Sequence, residues 1–179
     1  MLAAQNLVMA LMFIPLAIII AYMDVRYRRI PNKLVLVILI GGLVLNTFFG
    51  GWHRLAGSLG GLVLAFGLMF VLHAFGTMGA GDVKLFAAIG AVFGSSLVLP
   101  TLLVVAITGG VLAVCKMVYA RRVMVTMQGV VQFFFGLLPG QTVPRFDVPA
   151  DPSYTLPYAV PICLGSVISF FLFHAYAPW

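Results

Sequence analysis

Six long apolar runs, parted by short polar or glycine-rich breaks, leave this chain few folds to choose from. A helix needs about 20 apolar residues to cross a bilayer, within a range of about 17 to 25. The first run covers about Leu2 to Met23 and stops at the polar string Asp24–Lys33 (DVRYRRIPNK). The second runs from Leu34 to Phe49 and ends in the turn Gly50–Arg54. The third covers about Leu55 to Phe75, before the break Gly76–Gly81 (GTMGAG). The fourth covers about Asp82 to Leu97, the fifth about Leu99 to Tyr119, and the last about Pro157 to Tyr176. The pattern predicts an all-α, polytopic membrane protein with about six transmembrane helices, as a single domain over residues 1–179. Composition agrees: 63% of residues are hydrophobic and 8% charged, against about 25% charged in soluble domains. The N-terminus has neither a basic n-region nor an A-x-A-like site, so the first span is expected to be retained. Residues 123–138 are apolar but carry Thr126, Gln128 and Gln132, and read as a further span, a re-entrant piece or an interfacial helix. Pro139 to Pro157 reads as a Pro-rich loop.

Charges are few enough to place singly. There are ten bases and four acids, Asp24, Asp82, Asp147 and Asp151, with no Glu, giving a net charge of +6. The bases sit beside apolar spans and lack an aromatic-plus-basic pattern. Their expected partners are therefore anionic membrane lipids and not nucleic acid. With six crossings, nine of the ten bases and all four acids fall on one side, and Arg54 alone on the other. The positive-inside rule makes that side cytoplasmic and puts both termini opposite.

Two of the acids stand where membrane segments end. Asp24 closes the first span and Asp82 opens the fourth, so both reach one membrane depth. Ionisable groups near the hydrocarbon are costly and ask for a reason. Singly, Asp82 after its glycines reads as a helix N-cap, and Asp24 as a surface carboxylate paired with Arg26 or Arg28. Asp147 and Asp151 read as solvated loop residues. As a pair, Asp24 and Asp82 permit different chemistry. Two close carboxylates do not both ionise easily. The ionised one can activate a water while the protonated one polarises a peptide carbonyl. This is aspartyl protease chemistry, and it asks for no metal, no nucleophilic side chain and no cofactor. A helix N-terminus at Asp82 would keep it ionised and leave Asp24 protonated.

Other candidates are weaker. His53 and His73 are not at metal-ligand spacing, and His174 lies near the outer end of the last span. No Ser-His-Asp or Cys-His set is evident. Cys115 and Cys163 lack a CxxC partner and read as small buried side chains. Gly79-Ala80-Gly81 reads either as a simple tight turn or as an open backbone with unusual torsions, free to approach another chain. Lys84 and Arg26 either tune the acids or anchor at headgroups.

The motifs resemble those of the type IV prepilin peptidases. Gly79-Ala80-Gly81-Asp82-Val83-Lys84-Leu85 is similar to that family's G-x-G-D-x-K-L signature. The stretch from Asp24 to Ile30-Pro31-Asn32 is similar to its D-x-x-x-x-x-I-P-N motif, and Leu156–Pro161 (LPYAVP) to the start of its last span. The resemblance implies an aspartyl endopeptidase of the bacterial inner (cytoplasmic) membrane. Such an enzyme removes the short basic leader of prepilins at the cytoplasmic face, just before an apolar helix. Asp24 and Asp82 match its catalytic pair, with Gly79, Gly81, Lys84, Pro31 and Asn32 as supporting motif residues. Longer members carry a cysteine-rich N-terminal segment, and many N-methylate the product. This chain starts at the first catalytic span and resembles the short form found with tight-adherence (Flp-type) pili. The expectation is thereby narrowed to proteolysis, with S-adenosylmethionine not assumed. A presenilin-like protease would carry a Tyr-Asp pair, which Tyr22-Met23-Asp24 does not match. The alternative from another class is a non-catalytic transporter or pilus-assembly scaffold, which would not require both motifs.

Overall fold

The computed structural model describes residues 2–75, 78–119 and 157–174, all in helices or the short links between them. In order they are α1 (Leu2–Tyr27), α2 (Asn32–Ala74), α3 (Ala80–Phe93), α4 (Ser95–Tyr119) and α5 (Ala159–Ser169), the last continuing as a π-helical turn, Phe170–His174. The chain divides into two compact units, residues 1–109 with 157–179, and residues 110–156. Of the second, the described part is the end of α4, residues 110–119, where Cys115 is exposed and not buried as expected. The readings made for residues 123–138, Asp147, Asp151, Arg121, Arg122, Arg145, nearly all of the 139–157 loop and the side chain of His174 lie outside the described residues.

The 43-residue α2 would be about 64 Å long if straight, twice the thickness of a bilayer core. It is not straight. Gly51 takes φ 62 and ψ −150, outside helical space and on the side of φ that a side chain disfavours. Asn46 Nδ2 then donates to Ser58 Oγ at 2.7 Å. Twelve residues of continuous helix would hold those groups about 18 Å apart, so α2 folds back on itself as a hairpin. Its arms, 32–50 and 52–74, correspond to the second and third predicted spans. The break is one residue and not the five-residue turn read from Gly50–Arg54. With α1, α3, α4 and α5 the described helices make six rods, and the all-α membrane architecture holds. The fourth and fifth spans need redrawing. Gly94, at φ 78, ends α3 at Phe93, and α4 starts at Ser95, where the sequence suggested a fourth span to Leu97 and a fifth from Leu99. At 14 residues α3 is about 21 Å long, too short to cross about 30 Å of hydrocarbon alone.

Side-chain placement is what lipid solvent dictates. Phe48, Trp52, Phe75, Leu7 and Leu11 are largely exposed, while Asp24, Asn46, Ser58, Asp82 and Thr101 are buried. Close helix contact comes from glycine: a Cβ on Gly90 would run into the Gly61 carbonyl and lie 2.6 Å from Ala65 Cβ. The same end of α3 is tied to the hairpin by Asn46, whose Nδ2 also donates to the carbonyls of Ala91 and Val92 at 3.1 and 3.0 Å. These belong to the last turn of α3, where carbonyls have no intrahelical partner. Thr101 Oγ1 and Ser169 Oγ, 2.7 Å apart, link α4 to α5. Phe13, Phe93 and Phe170 join α1, α3 and the turn after α5, with centroids 5.6 to 6.5 Å apart.

Candidate active site

Asp24 lies within the last turn of α1, which runs on to Tyr27. It therefore does not end the helix, and at 7% exposed it is a buried and not a surface carboxylate. Its Oδ2 accepts the backbone N–H of Ala159 at 3.0 Å, a buried bond between residues 135 apart in sequence. Ala159 is the first residue of α5, where N–H groups lack intrahelical partners. The N-terminus of α5 is thus delivered to the end of α1. Arg28 has the one positive φ among the described non-glycine residues, 53°, and its N–H donates to the Asp24 carbonyl at 3.0 Å. This left-handed stop closes α1 and keeps the Arg28 charge within reach of the Asp24 carboxylate.

Asp82 is the third residue of α3 and is 8% exposed. It serves the helix start, though not as the N-cap itself. Gly79 holds that position, and its N–H donates to Asp82 Oδ2 at 3.2 Å while the Asp82 N–H donates to the Gly79 carbonyl at 3.1 Å. Asp82 lies within electrostatic reach of Asp24. Both carboxylates are therefore held by N–H groups at helix starts, Asp82 by its own and Asp24 by that of α5. The expected difference between them, which rested on a helix N-terminus at Asp82 alone, loses its basis.

The two motifs meet through Ile30 and Gly81. A Cβ on Gly81 would lie 3.3 Å from Ile30 Cδ1 and 3.5 Å from Ile30 Cβ. Gly79 has ordinary extended torsions, φ −76 and ψ 149, and Gly81 has no positive φ. Gly81 provides room for the Ile30 side chain, and neither glycine has unusual torsions. Pro31 is the N-cap of α2, its carbonyl accepting from the N–H groups of Leu34 and Val35 at 3.1 and 3.3 Å. Asn32 and Lys84 do not join the acids: they line a separate groove between α2 and α3.

Three contributors were missed in the sequence. Ala159 acts through its backbone, which no residue-type signal marks. Cys163, one turn further along α5, is buried within electrostatic reach of both acids and touches the Ala21 backbone. His73 Nδ1 lies 2.7 Å from the Met78 carbonyl and braces the link into Gly79. Among the described residues no three His, Cys, Asp or Glu side chains group as a metal site.

Comparison with known proteins places this arrangement. The model of the type IV leader peptidase family matches residues 11–114, more than half of the chain and both acids with their motifs. A prepilin leader peptidase/N-methyltransferase of Bacillus subtilis (strain 168) is 34% identical over 88 residues, which is 48% of this chain and 35% of that protein. The match thus spans about a third of that relative's length. No solved structure matches the chain. On the match over residues 11–114, the chain belongs to the type IV leader peptidase family.

Proposed function

We propose that this protein is an aspartic endopeptidase that cleaves the leader from type IV, Flp-like prepilins at the cytoplasmic face of a bacterial inner membrane. Asp24 and Asp82 are its catalytic residues. The observation that carries the reading is two buried carboxylates, from α1 and α3, within electrostatic reach of each other in a chain of this family. In the reaction one carboxylate is ionised and the other protonated. The ionised group takes a proton from water as the water oxygen attacks the scissile carbonyl carbon. The protonated group gives its proton to the carbonyl oxygen. Collapse of the tetrahedral diol breaks the C–N bond: the leaving nitrogen takes up the proton held by the first carboxylate, and a diol hydroxyl returns its proton to the second as the new C=O forms. The N–H of Gly79 and the N–H of Ala159 each hold one carboxylate in place, so neither acid must be oriented anew in each turnover.

The membrane side follows from charge. Arg26, Arg28, Arg29, Lys33 and Lys84 all lie near the helix ends that carry the acids, while Arg54 lies just past the α2 turn. This distribution supports a cytoplasmic site. The reading covers hydrolysis alone. Coexpression with a Flp-type prepilin tests it, the size of the precursor being followed on gels. Processing is expected with the wild-type chain and not with Asp24→Asn or Asp82→Asn. Full processing by the double variant would sink the proposed mechanism.

A further inference from the structure

The family motifs contain two polar residues, Asn32 and Lys84, that the acid pair does not use. On a helix, residues two apart do not share a face, so Lys84 points away from the side of α3 that carries Asp82. There it meets a groove of about 470 Å³ whose walls include Leu36 and Leu39 of the first α2 arm and Val63 and Phe66 of the second. Asn32 opens α2 and Lys84 lies in the second turn of α3, so both polar groups stand at one end of an otherwise apolar channel. The volume falls within the range of about 300 to 1,000 Å³ usual for small-molecule sites.

We propose that this groove is a binding site for an anionic phospholipid, with an acyl chain along the α2 hairpin and its phosphate on Lys84 and Asn32. Charge selects this occupant over a peptide helix. Arg29 and Lys33 are exposed near the same end of the molecule, adding to the positive field around Lys84. An apolar helix laid in this groove would bring Lys84 no anionic partner. A phosphate there is attracted, and the lysine stem covers apolar surface while its ammonium stays at headgroup level. The site is independent of the peptidase chemistry, and loss of cleavage does not bear on it.

The test uses the full chain with Trp52 and Trp179 replaced by Phe, in phosphatidylcholine vesicles holding a rising share of brominated phosphatidylglycerol. A reporter at Phe66→Trp reads the groove, and one at Leu103→Trp, exposed on α4, reads bulk lipid. Leu36→Trp is a second groove reporter should Phe66→Trp fail to fold. The groove reporter is expected to reach half-quenching at about a fivefold lower phosphatidylglycerol fraction than the α4 reporter. Lys84→Gln should remove that difference. Equal quenching at the two positions would overturn the site, as would a preference that survives Lys84→Gln. Quenching that is the same with brominated phosphatidylcholine but relieved by a prepilin peptide would also overturn it, and would assign the groove to substrate.

Discussion

Replacing Asp24 by Asn separates two roles that one carboxylate holds in this structure. Its Oδ2 receives the Ala159 N–H at 3.0 Å in a buried setting. An Asn side-chain oxygen accepts the same bond in nearly the same place, without the charge. Bonds to charged groups contribute about 1.5–3 kcal/mol and ordinary ones about 0.5–1.5 kcal/mol. The substitution therefore loses about 1 kcal/mol at that contact, offset in part because an amide is easier to bury than a carboxylate. Asp24→Ala differs, since it leaves the Ala159 N–H buried and unpaired at a cost of about 1–3 kcal/mol. Hydrolysis ranks the variants otherwise. Asn can neither take nor give a proton, and general acid–base catalysis contributes about 100- to 10,000-fold. Asp24→Asn should thus stay within about 1 kcal/mol of wild-type stability yet cleave at least about 100-fold more slowly. Stability is read from denaturant titration of the purified protein in detergent, and cleavage from the mobility shift of a prepilin under single-turnover conditions. A variant that cleaves at the wild-type rate with Asn, but fails with Ala, would refute the acid role. Asp24 would then be only the receptor for the start of α5.

Three further substitutions test the frame that holds the acids. Asn46→Leu removes the amide that bridges Ser58 and the last carbonyls of α3. At about 0.6–1.7 kcal/mol per interhelical bond in a membrane, it should lower stability by about 2–4 kcal/mol in the same titration, and a change under about 0.5 kcal/mol would count against the bridge. Gly90→Ala and Gly67→Ala should differ in sign. The first drives a methyl group toward the Gly61 carbonyl and Ala65 and is expected to cost about 1–3 kcal/mol. The second meets nothing within 4 Å and is expected to be neutral or to gain up to about 1 kcal/mol from helix propensity.

Much of this arrangement is legible in the sequence. Apolar run length predicted the helical rods, because bilayer thickness leaves few alternatives. The break between the first two rods was legible as the polar string Asp24–Lys33, within which the observed link falls. The helix boundaries were less so. A charged residue at the edge of an apolar run suggests an end, yet α1 continues a turn past Asp24 because Arg28, in a left-handed conformation, supplies the actual stop. The separation of Asn32 and Lys84 from the acids was available in principle. Positions 82 and 84 cannot share a helix face, and grouping them by motif hid that. Ala159 and Cys163 were out of reach for another reason. Their part depends on which helix start arrives beside Asp24, and that is a matter of three-dimensional packing across 135 residues.

Register among three of the helices is set at both of their ends together. Phe13 and Asp24 on α1, Asp82 and Phe93 on α3, and Ala159 at the start of α5 with Phe170 in the turn after it are each eleven residues apart. Eleven residues are just over three helical turns, so each pair lies on one face with its members about 16 Å apart. At one end the faces meet as the two carboxylates and the N–H of Ala159; at the other they meet as three phenyl rings. A slip of one residue in any of the three helices would turn it by about 100° and break both meetings at once. One contact leaves a helix free to pivot, whereas two contacts three turns apart fix its rotation and its tilt. The placement of the carboxylates therefore rests on the rings at the far end as much as on the N–H groups beside them. The short link at Arg28–Pro31 need only join helices whose register is already set.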